Sequence, residues 1–175
     1  RAVTLPPDLA GEVIRFHGAG PWLDQGTGAV ARIPTMLAVM QNLMTAVQRT
    51  ALTPEGRKVG RRMLGVASEA AIKLVPDVEV ALGLTVGEGF ETCLAARLAG
   101  FRPVWALGSA GAIAAFPVLA GIEAITILGE VGDGGTNQRA AQACAARWIE
   151  AGQEAFMVTP LVGDDFNDVW REAAR

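Results

Sequence analysis

The stretch LTVGEGFETCLAARLAG, residues 84–100, decides the architecture. An apolar run ends at a lone glutamate, Glu88, set between Gly87 and Gly89, and a helix-like run follows at once. Strands rich in Val, Ile, Leu and Thr without polar alternation are buried on both faces, as in a parallel sheet covered by helices. The same grammar repeats downstream. RPVWALG leads to Ser109 and AGAIAAF, halted near Pro117. EAITILG then leads through a glycine-rich turn to TNQRAAQACAARWIEAG, and EAFMVTPL follows. The longest helical run places Ala140, Cys144 and Trp148 on one face and Gln142, Ala146 and Glu150 on another, so one side lies on the sheet and the other is wet. Right-handed β-α-β crossovers then give a layered α/β domain with a mainly parallel four-stranded sheet flanked by helices.

That domain covers residues 80–175. Residues 1–79 read as a smaller, basic α+β subdomain, joined near Pro76-Asp77. TMLAVMQN, MTAVQRTAL, KVGRRMLG and AAIKLVP have the character of short strands, with a turn at Thr53-Pro54-Glu55-Gly56, giving an antiparallel meander behind a leading helix. PTMLAVMQNLMTAV is equally acceptable as a helix by propensity, and that alternative stays open.

Composition narrows the class. The 175 residues are 51% hydrophobic and 19% charged, enough apolar matter for a packed core. No apolar stretch reaches the length of a membrane span, and no targeting segment is visible, which fits a cytoplasmic protein. The chain opens on Arg1 rather than Met, the mark expected of a piece of a longer protein. Cys93 and Cys144 form no C-x-x-C pair and His17 is the only histidine, so a structural zinc site lacks ligands and both thiols are expected to be buried apolar residues. Between Arg49 and Lys73, six cations (Arg49, Arg57, Lys58, Arg61, Arg62, Lys73) stand against Glu55 and Glu69, a balance of +4 in a chain whose total is −3. Such a ribbon suits a phosphate backbone, and equally a solvated hairpin face.

In an open α/β sheet, ligands bind beyond the carboxyl ends of the strands. Glu88 falls there, Asp133 follows the third strand in GEVGDGGTN, and Asp164, Asp165 and Asp168 follow the fourth in LVGDDFND. Converging carboxylates repel unless a cation joins them. All-oxygen donors select Mg²⁺ or Mn²⁺ over zinc, and such an ion orients phosphates. Each acid also has a structural reading. Glu91 suits the first helical turn, Asp133 suits a turn, and one Asp of DDFND suits a helix cap.

VGEGFET resembles the first motif of the Toprim domain, the metal-binding catalytic module of bacterial-type primases, topoisomerases and certain nucleases, in the E-G-x-E-T form of primase-like proteins from phages, plasmids and other mobile elements. WALGSAGA, with Ser109, resembles the second-strand segment, and GDDFNDVW, with Asn167 and Asp168 beside Asp165, is similar to the late acidic motif. RFHGAGPW and GRKVGRRMLG resemble the region ahead of the domain in the same group. The middle motif departs from the family's D-x-D. Here the acids are Glu130 and Asp133, three apart, so that Asp133 takes the second place and Glu130 the first only through a bulge or altered turn.

The resemblance implies nucleotidyl transfer in primer synthesis on single-stranded DNA from nucleoside triphosphates. Glu88, Asp133 and Asp165 are the implied catalytic residues, and Glu88, Glu130, Asp133 and Asp165 the implied ligands of Mg²⁺ or Mn²⁺. Arg49, Arg57, Lys58, Arg61 and Arg62 are candidates for template or triphosphate contact, and Glu91, Ser109, Asn167 and Asp168 for support. A replicative helicase, attached or separate, is the implied partner. A phosphodiester-cleaving nuclease and a catalytically weakened binding module are the rivals. With no tyrosine, the chain by itself is not a tyrosine-dependent topoisomerase. It carries no G-x-x-x-x-G-K-[ST] loop, which ranks small-molecule phosphotransfer last.

Overall fold

The computed structural model describes residues 4–41 and 45–173. They form two compact units, one spanning Pro6–Ala70 and the other running from Ala71 onward.

The first unit is an antiparallel sheet with its strands in chain order: β1 (Ile14–Leu23), β2 (Val30–Gln41), β3 (Thr45–Leu52) and β4 (Lys58–Gly65). The expected meander is present, but among the described residues no leading helix precedes it. Pro6, Pro7 and Gly11 break that segment into turns, with the Leu9 N–H donating to the Pro6 carbonyl at 3.1 Å and Gly11 at φ 89°. The unit is therefore all-β rather than α+β. The ambiguous run PTMLAVMQ lies in β2, paired on both sides, so sheet pairing overrides its helical propensity; residues 42–44, the remainder of the ambiguity, lie outside the described residues. The turn at Thr53 closes as expected, with the Gly56 N–H on the Thr53 carbonyl at 2.9 Å and Gly56 at φ 81°. β1 carries two glycines and a proline that mask it as a strand, and its register slips between His17 and Gly20.

The second unit contains β5 (Ile72–Lys73), β6 (Gly83–Gly87), α1 (Phe90–Leu98), β7 (Val104–Ala106), α2 (Ala110–Ala115), β8 (Ala124–Leu128), α3 (Thr136–Glu150), β9 (Glu154–Val158) and α4 (Phe166–Ala173). Its sheet has five strands in the order β5-β7-β6-β8-β9. β6 to β9 pair in parallel, while β5 adds an antiparallel edge, so the sheet is mixed rather than a parallel four-stranded one. The run AAIKLVP therefore contributes to this sheet, not to the meander. Trp105 holds it there: its indole N–H donates to the Val75 carbonyl at 2.9 Å, and Lys73 Nζ lies 4.7 Å from the ring centroid.

The chain leaves β6 toward β7 on one side and later returns past it to β8 on the other. With right-handed crossovers, that reversal puts α1 on one face and α2 and α3 on the opposite face. α1 packs with α4, and α2 with α3. Val86, Ile113, Ile125, Ile127, Cys144 and Trp148 are wholly buried in the core, and Trp148 stacks on Phe116 at 6.4 Å. Ala140, Cys144 and Trp148 take the buried face of α3 as the periodicity required, and Gln142, Ala146 and Glu150 are exposed. Both cysteines are free and buried, and burial pushes the Cys144 thiol up to about 11.

Gly87 ends β6 under the first turn of α1, where an added Cβ would stand 2.7 Å from Cys93 Sγ and 3.2 Å from Leu128 Cδ1. Gly87→Ala is expected to destabilise the second unit by about 1–3 kcal/mol through overpacking. A urea titration followed by circular dichroism checks this; an unchanged midpoint contradicts so close a helix-to-strand approach.

Candidate active site

β6 and β8 are neighbours whose following loops leave for opposite faces, which opens a crevice at their carboxyl ends. Glu88 directly follows β6, Glu130 lies two residues beyond β8, and Asp165 directly precedes α4. Three of the sequence-designated acids thus reach one rim from three separate segments, all half-buried.

Two neutral, buried side chains connect them. Thr92, in the first turn of α1 and 2% exposed, has its Oγ1 3.2 Å from Glu130 Oε1 and 3.1 Å from Asp165 Oδ2. Asn137, near the start of α3 and wholly buried, donates from Nδ2 to Glu88 Oε2 at 3.4 Å and accepts the Glu130 backbone N–H on Oδ1 at 3.0 Å. Hydrogen-bonding contacts therefore run Glu88–Asn137–Glu130–Thr92–Asp165, with a single Thr92 proton between Glu130 and Asp165. Burial raises the Glu130 pKa above its ordinary 4.5, and the nearby charges of Glu88 and Asp165 add to the effect against the Thr92 hydrogen bond.

Asp133 lies outside this chain of bonds. Its carboxylate accepts the Asn137 backbone N–H at 2.6 Å and the Gly135 N–H at 3.0 Å, which places it over the open amides at the start of α3. The residue two after Glu130 is Gly132, at φ 87°, and the space beside it is taken by Asp164: a Cβ on Gly132 would lie 2.9 Å from Asp164 Oδ1. The Val131 N–H donates to the Asp164 carbonyl at 2.9 Å, tying the two loops together. Among the described residues no three His, Cys, Asp or Glu side chains form a ready-made metal cage.

The supporting residues divide by role. Ser109 caps α2 by accepting the Ala112 N–H at 3.1 Å, and Asp165 Oδ1 accepts the Asp168 N–H at 2.9 Å at the start of α4. Asp168 accepts the Asp164 N–H at 3.1 Å and pairs with Arg171 at 3.1 Å. Glu91 sits half-buried in the first turn of α1, and Asn167 is half-buried in α4.

The basic residues of the first unit do not form one ribbon. Arg49 and Arg62 are direct partners across β3 and β4 and share a face, whereas Arg61 pairs with Thr50 and points to the other. Arg57 and Lys58 are exposed where β4 begins. On the Arg49 face, Arg62 lies 4.3 Å from the centroid of Trp22, and Arg49 donates to the Pro21 carbonyl at 3.4 Å. His17 Nδ1 accepts the Ala19 N–H at 3.1 Å, a local turn contact.

Sequence reasoning did not single out Thr92, Asn137 or Trp22. Thr92 was in view inside VGEGFET, four residues after Glu88 and within the first turn of α1. Asn137 had no signal of its own, since its buried position appears only when α3 meets the end of β8.

Residues 83–175 match the model of the Toprim domain, more than half of the chain. The chain belongs to the Toprim domain family. Among solved structures it is similar to a DNA primase domain from Pseudomonas aeruginosa, with a TM-score of 0.54, 15% identity, and coverage of 87% of this chain and 52% of that one. It is similar also to the DnaG catalytic core, with a TM-score of 0.57, 13% identity, and coverage of 91% and 62%. At these identities the likeness is one of fold, and the chain spans between half and two thirds of those structures. No curated protein matches the chain in sequence. Among the described residues no helix is long and apolar enough to cross a membrane.

Glu130 yields a prediction with a fixed sign. Its folded-state pKa lies above the unfolded value, so ionised Glu130 costs stability above the raised pKa and costs nothing below the ordinary 4.5. Glu130→Gln is expected to raise the melting temperature of the metal-free protein at pH 7–8, with the gain fading as the pH falls and gone below that ordinary value. A gain independent of pH contradicts the assignment. Asp133→Ala is expected to cost about 0.5–2 kcal/mol, the scale of a lost helix cap, read by chemical denaturation.

Proposed function

We propose that the chain is the catalytic segment of a primase-like protein that joins nucleotides on single-stranded nucleic acid with the help of Mg²⁺ or Mn²⁺. The supporting observation is the meeting of Glu88, Glu130 and Asp165 at the β6–β8 crevice, bridged by Thr92 and Asn137. The donor set fits a hard cation. It is all oxygen, with neither histidine nor thiolate, and Glu130, whose proton affinity is raised first by burial and then by the charges of Glu88 and Asp165, faces like charge that a cation would offset. Glu88, Glu130 and Asp165 would hold it. When bound, such an ion supplies charge neutralisation at phosphate oxygens and lowers the barrier to in-line attack by a primer hydroxyl. Asp133, with both oxygens occupied at α3, supports the loop rather than the ion in this reading.

The chain's own residues supply the rest. Glu88, at the mouth of the crevice, is placed in this reading either to bind the ion or to accept the proton of the attacking hydroxyl. Gly87, packed against Cys93 and Leu128, and Gly89, packed against Thr92, let α1 begin close behind Glu88 and so fix where its carboxylate stands. In the first unit, the Trp22–Arg62–Arg49 face combines an aromatic ring with two guanidinium groups, the pairing that single-stranded nucleic acid uses for base stacking and phosphate contact. Arg57 and Lys58 would add exposed charge at the start of β4, and Arg61 serves the opposite face.

Glu88→Gln is expected to abolish Mn²⁺-dependent extension of a labelled primer on a single-stranded template while the far-ultraviolet circular dichroism spectrum stays unchanged. The same gel separates lengthened from shortened products, so shortening alone would turn the reading toward a nuclease, and retained extension by the variant would remove Glu88 from the chemistry. For the first unit, Arg62→Glu is expected to weaken binding of labelled single-stranded DNA about equally across sequences and to reduce the salt slope by about 1, the signature of one lost phosphate contact. Arg61→Glu, on the other face, is expected to do less. Equal effects of the two variants, measured by fluorescence anisotropy, contradict a one-faced surface.

A further inference from the structure

The side chain that stands out is Thr92. It is 2% exposed, it belongs to α1 rather than to any acidic loop, and one hydroxyl oxygen lies within hydrogen-bond distance of carboxylates from two separate segments. A hydroxyl has a single proton to give. It satisfies one carboxylate or is shared unequally between two, and in either case it leaves acceptor capacity on both. What it fixes fully is distance. With Oγ1 at 3.2 Å from Glu130 and 3.1 Å from Asp165, the two carboxylate oxygens are held to one centre although they are 35 positions apart in sequence, at 130 and 165. A helical threonine has two favoured χ1 wells, and the burial of Thr92 together with neighbouring Phe90, Cys93 and Leu94 restricts exchange between them, so packing holds that centre. An added Cβ on Gly89 would come within 3.2 Å of Thr92 Oγ1, which shows how closely the loop before α1 wraps the hydroxyl.

We propose that Thr92 is the positioning residue of this site: by anchoring Glu130 and Asp165 to one hydroxyl, it sets the affinity of the rim for a divalent cation without itself touching the reacting atoms. Asn137 does the corresponding work between Glu88 and the Glu130 backbone, but it also joins β8 to α3, so Thr92 is the cleaner place to test the idea. The inference rests on the cation reading given under Proposed function.

The test uses the full chain and Mn²⁺ alone as the probe, with the free-ion electron paramagnetic resonance signal reporting binding and a thermal melt in the absence of metal reporting the fold. Wild type is expected to bind Mn²⁺. Thr92→Val, which keeps the branched shape and loses the hydroxyl, is expected to bind about tenfold more weakly, the lower end of the effect of removing a group that orients a metal ligand. Thr92→Ser, which keeps the hydroxyl, is expected to restore wild-type affinity. Thr92→Ala provides the same loss of hydroxyl should valine beside two carboxylates fail to fold. In primer extension, the Mn²⁺ concentration for half-maximal rate is expected to rise with the hydroxyl's removal while the rate at saturating Mn²⁺ is kept. A folded Thr92→Val or Thr92→Ala that binds Mn²⁺ as wild type does, whatever its melting temperature, overturns the role of Thr92 and leaves the cation reading standing. A wild type that binds no Mn²⁺ overturns both.

Discussion

The second unit depends on one constraint, the parallel pairing of β6 with β8 while their outgoing loops diverge. Parallel strands cannot be joined by a tight turn, so each needs a helical crossover, and a chain that winds first one way and then the other must send those helices to opposite faces. The consequence is a gap between two loops at the one rim where α1 and α3 begin. Glu88 and Glu130 stand on either side of it, and Asp165 arrives from the segment after β9. The acids share a region because the winding reverses there, not because they are close in sequence.

Around that gap, polar side chains are arranged in an order that electrostatics explains. The charged groups are half-buried and the neutral ones, Thr92 and Asn137, are almost fully buried. A buried hydroxyl or amide that is hydrogen-bonded costs far less than a buried charge, so the neutral groups can form the inner frame while the carboxylates stay at its outer edge. Glu130 is desolvated and faces two like charges, and it is also the residue to which both neutral side chains are bonded.

Much of this architecture was legible in the residues. The unbroken apolar character of LTV and ITIL announced strands buried on both faces, and the four-residue spacing of Ala140, Cys144 and Trp148 announced how α3 would lie. The motif VGEGFET led to the family and to Glu88. Other features were not legible, for physical reasons. β5 is only two residues long and is held by Trp105 and β7, partners that lie 30 or more positions away, so nothing local distinguishes it from the meander before it. β1 hides behind glycine and proline because a bulge accommodates them. Spacing alone could not show that Asp133 would cap a helix, since an aspartate in a glycine-rich turn serves a cap and a metal equally well. Nor does a count of positive charges reveal that neighbours on a strand, Arg61 and Arg62, project to opposite sides.

The contact between Gly132 and Asp164 has a bearing on how this protein could vary. The carboxylate of one loop fills the volume that any side chain of the other would need, so the two sites share a single space. Residue 132 also sits at φ 87°, a conformation side chains rarely adopt, so glycine is favoured there whether or not residue 164 is made smaller. A designer wishing to move a negative group from one loop to the other would have to rebuild the turn at position 132 as well as empty position 164, because clearing the space alone leaves the left-handed backbone in place.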